Sequence, residues 1–283
     1  MQKVILDTDI GNNVDDAYAL TLLLSLRRAK LLGVTTVSGA TEQRALLAAK
    51  LLMKLGSSTI PVYAGRPNNQ PMNGLYEWAL GFHSTSLQKV PAVEFLHEQI
   101  QHSPGEITLI AIGPLTNLGD LFRRYPETAR QVKHIVVMGG ALNAGYNGQP
   151  PAVPEYNVKS DPISAQAVFQ SGAPLTMVGL DATVMMQLDE ARQARLFALG
   201  TPATDALGAL TALWGDRVPT LFDPMAVACA LGYRFTDDEP HHVVVEDDGL
   251  TRITEGPYNV RTLFNPRKDA FLDWYIAIHA SKR

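Results

Sequence analysis

Short apolar, β-branched runs alternate along this chain with longer segments whose apolar positions recur every three to four residues. The first kind comprises KVIL at 3–6, LLGVTTV at 31–37, ITLIAIG at 107–113, HIVVMGG at 134–140 and PLTMVGL at 174–180. Consecutive apolar positions suit strands covered on both faces, because a strand with one wet face alternates instead. The second kind, AYALTLLLSL, EQRALLAAKLLMKL, NLGDLFRRY and DPISAQAVFQ, has helix spacing. Repeated strand–helix–strand order predicts the α/β class, with an open, mostly parallel, Rossmann-like sheet and helices on both faces. No Pro/Gly/Ser linker divides the chain and no internal repeat is present, so residues 1–283 are expected to form a single domain.

Three further stretches complete the pattern. Residues 241–260, HHVVVEDDGLTRITEGPYNV, predict a small C-terminal strand pair around the turn DDG, outside the main sheet. DAFLDWYIAIHA, at 269–280, predicts a docking helix. Residues 65–88 and 143–154 fit neither periodicity, and long loops in compact domains are usually functional, so both are expected at the mouth of a site.

Composition narrows the partners. A formal charge of −4 supplies no basic field to gather phosphates, which excludes nucleic acid polymer and favours a small neutral ligand. The single cysteine, Cys229, sits in the apolar run MAVACAL and reads as a buried, inert thiol; it also rules out a disulfide within the chain. Residues 1–6 run straight into a strand with no basic leader, and no segment reaches the length of a membrane span. A soluble, cytoplasmic protein is expected, with no membrane partner.

The chemistry concentrates in DTDIGNNVDDAYAL. An apolar strand ends at Asp7 and Asp9, Gly11 permits a tight turn, and Asp15 and Asp16 open a helix. In open α/β sheets ligands sit beyond the carboxyl ends of the strands, where this turn falls. Carboxylates this close repel one another unless a cation or a shared proton relieves them, and calcium is the hard cation with the loosest demands on oxygen geometry. A second reading leaves Asp15 or Asp16 as a helix cap. An EF-hand fails because the glycine comes too early and a strand precedes it, and a P-loop fails for want of Lys-Ser/Thr. A metal-dependent phosphatase of the haloacid dehalogenase type also begins with a strand and D-x-D, and stays as an alternative. It expects Thr or Val where this chain has Gly11, and has no use for the Asp15–Asp16 pair.

DTDIGNNVDDAYAL is followed in order by GVTTVSG, IGPLTNL, VVMGGA, EYNVKSDP and FDPMAVA. Together these resemble the inosine-uridine preferring nucleoside hydrolase family along nearly the whole chain. The resemblance implies a calcium-dependent hydrolase that cleaves the N-glycosidic bond of ribonucleosides, working in purine and pyrimidine salvage as a homodimer or homotetramer. Carried over residue by residue, Asp9, Asp16 and Asp223 resemble the metal ligands, joined by the backbone carbonyl of Ile112. Asp15 resembles the general base that activates a calcium-bound water, and Asp7 a group that orients the turn. Met138, Asn147, Glu155 and Asn157 match positions that hold the ribose hydroxyls, Asp161 one that steadies EYN, and His83 a histidine of the first flexible loop.

Such a reaction needs a water at the anomeric carbon, a base for its proton and support for a cationic sugar. The chain departs from the family pattern at four places. GNNVDD is two residues longer than the common GxDD, Ala40 replaces Asn or Asp, and Ser84 replaces a glycine. Phe222 stands where the family commonly has a histidine that protonates the leaving base. A ring at Phe222 stacks on a base and donates no proton, which leaves His83, Tyr76, Trp214 and Tyr146 as candidate acids. A nucleoside or ribose sensor with weak turnover is the corresponding alternative function.

Overall fold

The structure is a computed structural model that describes residues 1–72, 74–215 and 217–280. In chain order the elements are β1 (Gln2–Thr8), α1 (Asp15–Ser25), β2 (Ala29–Thr36), α2 (Thr41–Lys54), β3 (Val62–Ala64), β4 (Leu87–Gln88), α3 (Ala92–His102), β5 (Ile107–Ala111), α4 (Thr116–Arg124) and β6 (His134–Met138). There follow α5 (Tyr156–Ser160), α6 (Pro162–Phe169), β7 (Leu175–Val178), α7 (Leu180–Thr183), α8 (Glu190–Phe197), α9 (Pro202–Trp214) and α10 (Phe222–Ala230). The last are β8 (Asp237–His241), β9 (Val243–Val245), β10 (Thr251–Ile253), β11 (Val260–Phe264) and α11 (Lys268–Ala280).

The described residues form a nine-stranded sheet in the order β4-β3-β2-β1-β5-β6-β7-β11-β8 and a separate β9–β10 hairpin. All neighbours in the large sheet run parallel except β8, which lies antiparallel at the edge, where Pro240 costs no ladder bond to a further strand. The five strands expected from apolar runs are β1, β2, β5, β6 and β7, and the strand pair around Asp247, Asp248 and Gly249 stands outside the main sheet as its alternation implied. The sequence reading did not anticipate β3, β4, β8 or β11. Strands of two or three residues, and an edge strand reading DDEPH, carry too little apolar signal.

Side chains of the central strands split by parity between the two faces. Val4, Leu6, Ile110, Ile112, Val136 and Met138 join the core under α1, α2, α9, α10 and α11. Ile5, Ile107, Leu109, Ala111, Ile135 and Val137 join the core under α3, α4 and α6. Because β1 is flanked by β2 on one side and β5 on the other, the chain reverses its direction of winding at β1/β5. That switch point opens a crevice beyond the strands' carboxyl ends. No helix of the described residues is long and apolar enough to cross a membrane.

Candidate active site

A cavity of about 340 Å³ lies in this crevice. Its lining combines Asp9, Asn12 and Asn13 after β1, Asp15 and Asp16 opening α1, and Ile112 after β5. Met138 at the end of β6, Tyr146, Glu155, Tyr156 and Asn157 form a second wall, and Trp214, Arg217, Phe222 and Asp223 a third. Carboxylate oxygens of Asp15, Asp16 and Asp223 all lie within 4.8 Å of one another, although the residues come from opposite ends of the chain. The contact follows from the packing of α1 against α10, which brings the first turns of both helices together.

The widened turn is held from beneath. Gly11 has φ +128°, a conformation that disfavours a side chain, and an added Cβ would meet the Met72 side chain at 2.6 Å. At Gly113 an added Cβ would lie 2.8 Å from the Asp9 backbone nitrogen, so only glycine lets the end of β5 run this close to the turn. Arg44, on α2 and fully buried, donates from Nε to the Ser38 carbonyl (2.6 Å) and from Nη1 to the carbonyls of Ile10 (3.0 Å) and Asp9. Thr8 Oγ1 donates to Asp16 at 2.5 Å and accepts from the Ile10 amide. Asp7 does not line the cavity. Its Oδ1 accepts from Thr35 (2.5 Å) and Asn117 (2.7 Å), tying β1 to β2 and α4. The helix-cap reading of the aspartates finds no counterpart, because the N-cap of α1 is Val14, with no side-chain cap bond.

The second wall is a set of hydrogen bonds between segments. Glu155 caps α5, accepting from the amides of Asn157 (3.0 Å), Gly140 (3.0 Å) and Val158 (3.3 Å). Asn157 Nδ2 donates to the carbonyls of Ile112 (3.1 Å) and Met138 (3.0 Å), fixing the Ile112 carbonyl beside the carboxylates. Asp161 caps α6 through the Ser164 amide and accepts from Thr116 Oγ1 at 2.7 Å, so it couples the segment after β5 to EYN.

Among the positions singled out from sequence, Asp9, Asp15, Asp16, Ile112, Met138, Glu155, Asn157, Phe222 and Asp223 meet in the cavity. His83 and Asn147 are exposed and do not line it. Asn147 Oδ1 accepts from the Gln149 amide within its own turn (2.9 Å). The loop reaches the cavity through Tyr146 instead, whose hydroxyl accepts from the Tyr156 amide at 2.8 Å. Of the other candidate acids, Trp214 is at the wall and Tyr76 is not. Sequence reasoning missed Arg44, Asn12, Asn13, Tyr156 and Arg217. For Arg44 a signal existed: it occupies the same helical face as Thr41, Ala48 and Leu51, where a charge is out of phase.

Burial sets the electrostatics. It pushes Asp9 up to about 6 and Asp15 to about 7, with Arg44 pulling Asp9 back and a hydrogen bond from Asp223 pulling Asp15 back. Burial also lifts Asp16 and Asp223 well above the carboxylate range, and the neighbouring aspartates add to both shifts. Glu155 rises to about 7 by burial despite its amide donors. All available donor atoms are oxygens, buried and mutually repelling, which is the donor set of a hard divalent cation.

A group whose folded pKa is raised contributes stability in full below its unfolded value and loses it as pH rises through the folded one. With cation chelated away, the melting temperature is therefore expected to fall between about pH 5 and pH 8 as these carboxyls ionise together. Adding a divalent cation should restore it at the upper end and do little at the lower, because protons compete for the ligands. Scanning calorimetry with and without chelator checks this, and a chelated profile that stays flat contradicts it.

A larger groove of about 1430 Å³ lies between the starts of α2 and α3 and the β4 edge. Five of its charged side chains pair with each other, Arg66 and Arg123 with Asp120 and Arg124 with Glu94, and it gathers no acidic cluster. The converging residues lie in the smaller cavity.

Comparison with known proteins finds relatives of similar sequence and fold. The pyrimidine-specific ribonucleoside hydrolase RihA of Shewanella sp. (strain ANA-3) is 33% identical, over 96% of this chain and 94% of its own length. Uridine nucleosidase 1 of Arabidopsis thaliana is 36% identical over 67% of this chain and 59% of its own. Two solved structures share the fold: a plant nucleoside hydrolase (TM-score 0.86, 23% identity, 99% of both chains) and a purine-preferring ribonucleoside hydrolase from Gardnerella vaginalis (TM-score 0.85, 24% identity, 99% of this chain and 98% of that one). Residues 4–273 match the sequence profile described as inosine-uridine preferring nucleoside hydrolase, and the chain belongs to that family.

Proposed function

We propose that this chain, as one domain over residues 1–283, hydrolyses the N-glycosidic bond of ribonucleosides to free base and ribose. One observation carries the reading: buried carboxylates from α1 and α10 converge in a cavity whose opposite wall is Glu155 and Asn157. Family membership leaves the phosphatase alternative without support. Pyrimidine-specific relatives at 33% identity make pyrimidine nucleosides the first substrates to test.

Calcium suits the oxygen donors of Asp9, Asp16, Asp223 and the Ile112 carbonyl better than magnesium, which demands a stricter octahedron. When bound, such an ion would supply positive charge at the ribose diol and the attacking water. Asp15 takes the proton of the water that attacks the anomeric carbon. Its raised pKa suits a base working near neutrality, and a cation beside it favours the ionised form needed at the start. Glu155 and Asn157 orient the remaining sugar hydroxyls, and Met138 packs under the ring. The surrounding negative charge favours the cation developing on the sugar. Holding both reactants in one geometry removes much of the entropic barrier. A cytoplasmic role in nucleoside salvage and assembly as a homodimer or homotetramer complete the proposal.

Incubation with uridine, cytidine, inosine and adenosine, with free ribose as the readout, is expected to show release from at least one nucleoside. Chelator should abolish it and calcium restore it. Calcium-dependent binding without release of ribose from any of them would turn the reading into the sensor.

A further inference from the structure

Breaking the C1′–N bond leaves an electron pair on the nitrogen of the base, and that charge must be met by a proton or by a fixed positive group. Phe222 removes the proton donor at the position where the family commonly has one. Among the described residues lining the cavity there is no histidine and no lysine, and Arg217 is the one cation. The two tyrosines at the wall are weakened as acids: Tyr146 is pushed up by burial and by Glu155, and Tyr156 by burial and by Asp9.

We infer that Arg217, stacked on Trp214 in the wall of the cavity, stabilises the departing base as an anion, so that this enzyme works without protonating its leaving group. The inference rests on the ribohydrolase reading. The guanidinium carbon lies 5.2 Å from the centroid of the Trp214 ring, a stacking distance that orders an otherwise exposed side chain. The Arg217 amide donates to the Gly215 carbonyl at 2.7 Å, and Gly215, with φ +99°, turns the chain at the end of α9. The guanidinium and the ring line the same cavity.

The electron balance is closed within these groups. The water oxygen bonds to C1′ as the C1′–N bond breaks, its proton passes to Asp15, and the nitrogen keeps the bonding pair. Arginine stays charged throughout, so it contributes field and hydrogen bonds and no proton. The anion takes its proton from solvent after leaving. The cavity holds carboxylates to support the cation that develops on the sugar and a guanidinium to support the anion that develops on the base. The favoured leaving groups are bases whose anions are stable and carry an oxygen beside the glycosidic nitrogen. Uracil satisfies both conditions, whereas cytosine forms a less stable anion and adenine has no oxygen beside its glycosidic nitrogen.

The test compares wild type with Arg217→Met and Arg217→Lys on uridine and on p-nitrophenyl β-D-ribofuranoside, whose nitrophenolate leaves unaided. Arg217→Met should lower kcat on uridine by about 100-fold and kcat on the nitrophenyl riboside by less than about fivefold, as expected for a donor aimed at developing charge. Arg217→Lys should recover part of the loss on uridine, which a purely structural role does not explain. Equal losses on both substrates, or undiminished uridine turnover in Arg217→Met, overturn the inference while leaving the ribohydrolase reading intact. Wild-type protein that hydrolyses neither substrate overturns both.

Discussion

Asp15→Asn is expected to lower kcat for ribose release by about 10³-fold, within the range typical of a lost general base, while leaving the cation response of the protein in place. Asparagine keeps the size and shape of the side chain at the first position of α1, so the helix and its packing against α10 persist. An amide does not accept a proton from water, and nothing else in the cluster is free to do so if Asp16 and Asp223 hold the ion. The substitution also removes one of the mutually repelling charges, which lowers the folding cost of the site. Initial-rate measurement of ribose release, paired with the calcium-induced shift in melting temperature, separates the two effects. Undiminished turnover removes Asp15 as the base, and a lost calcium shift makes it a ligand instead.

Asp223→Ala should have opposite effects on the two forms of the protein. Turnover is expected to fall by at least about 10³-fold if, as proposed, Asp223 is the ligand from α10 to an ion that aligns sugar and water. The calcium-induced rise in melting temperature should vanish with it. Without cation, however, the native Asp223 is buried among Asp15, Asp16 and Asp9, and its carboxyl lies well above the usual range because burial and those neighbours oppose its charge. Replacing it with alanine relieves that opposition. We expect the chelated variant to melt about 2–4 °C above chelated wild type, the shift that relief of about 1 kcal/mol produces in a chain of this size. A variant that is destabilised with and without calcium would mean that Asp223 serves packing alone.

Much of this protein is legible from periodicity. The central strands β1, β2, β5, β6 and β7 are apolar at consecutive positions because both faces are covered, and helices α1, α2, α4, α6 and α11 announce themselves by spacing. The peripheral strands β3, β4, β8 and β11 do not. Their pairing comes from neighbours already in place, and Asp237–His241 is almost wholly polar and exposed. The candidate site divides in the same way. Asp9, Asp15 and Asp16 are visible because their charges cluster at a strand end, and Glu155 and Asn157 because of the EYN motif. Asn147 and His83, carried over from loops, are exposed and do not line the cavity, because loop positions are not fixed by the periodicity that places strands and helices. Tyr146, one residue from Asn147, takes a place in the wall.

By itself the sequence determined the class of the fold, the opening cluster of aspartates and the family pattern, since each is written in contiguous residues whose spacing has a direct physical meaning. Only the tertiary structure decided that Asp223 joins that cluster, that a buried Arg44 braces the widened turn, and that Arg217, with no histidine among the described lining residues, shares the cavity. Those relations span from about 30 to 200 residues of chain, and no local spacing encodes a contact made by helix packing at the far end of a sheet.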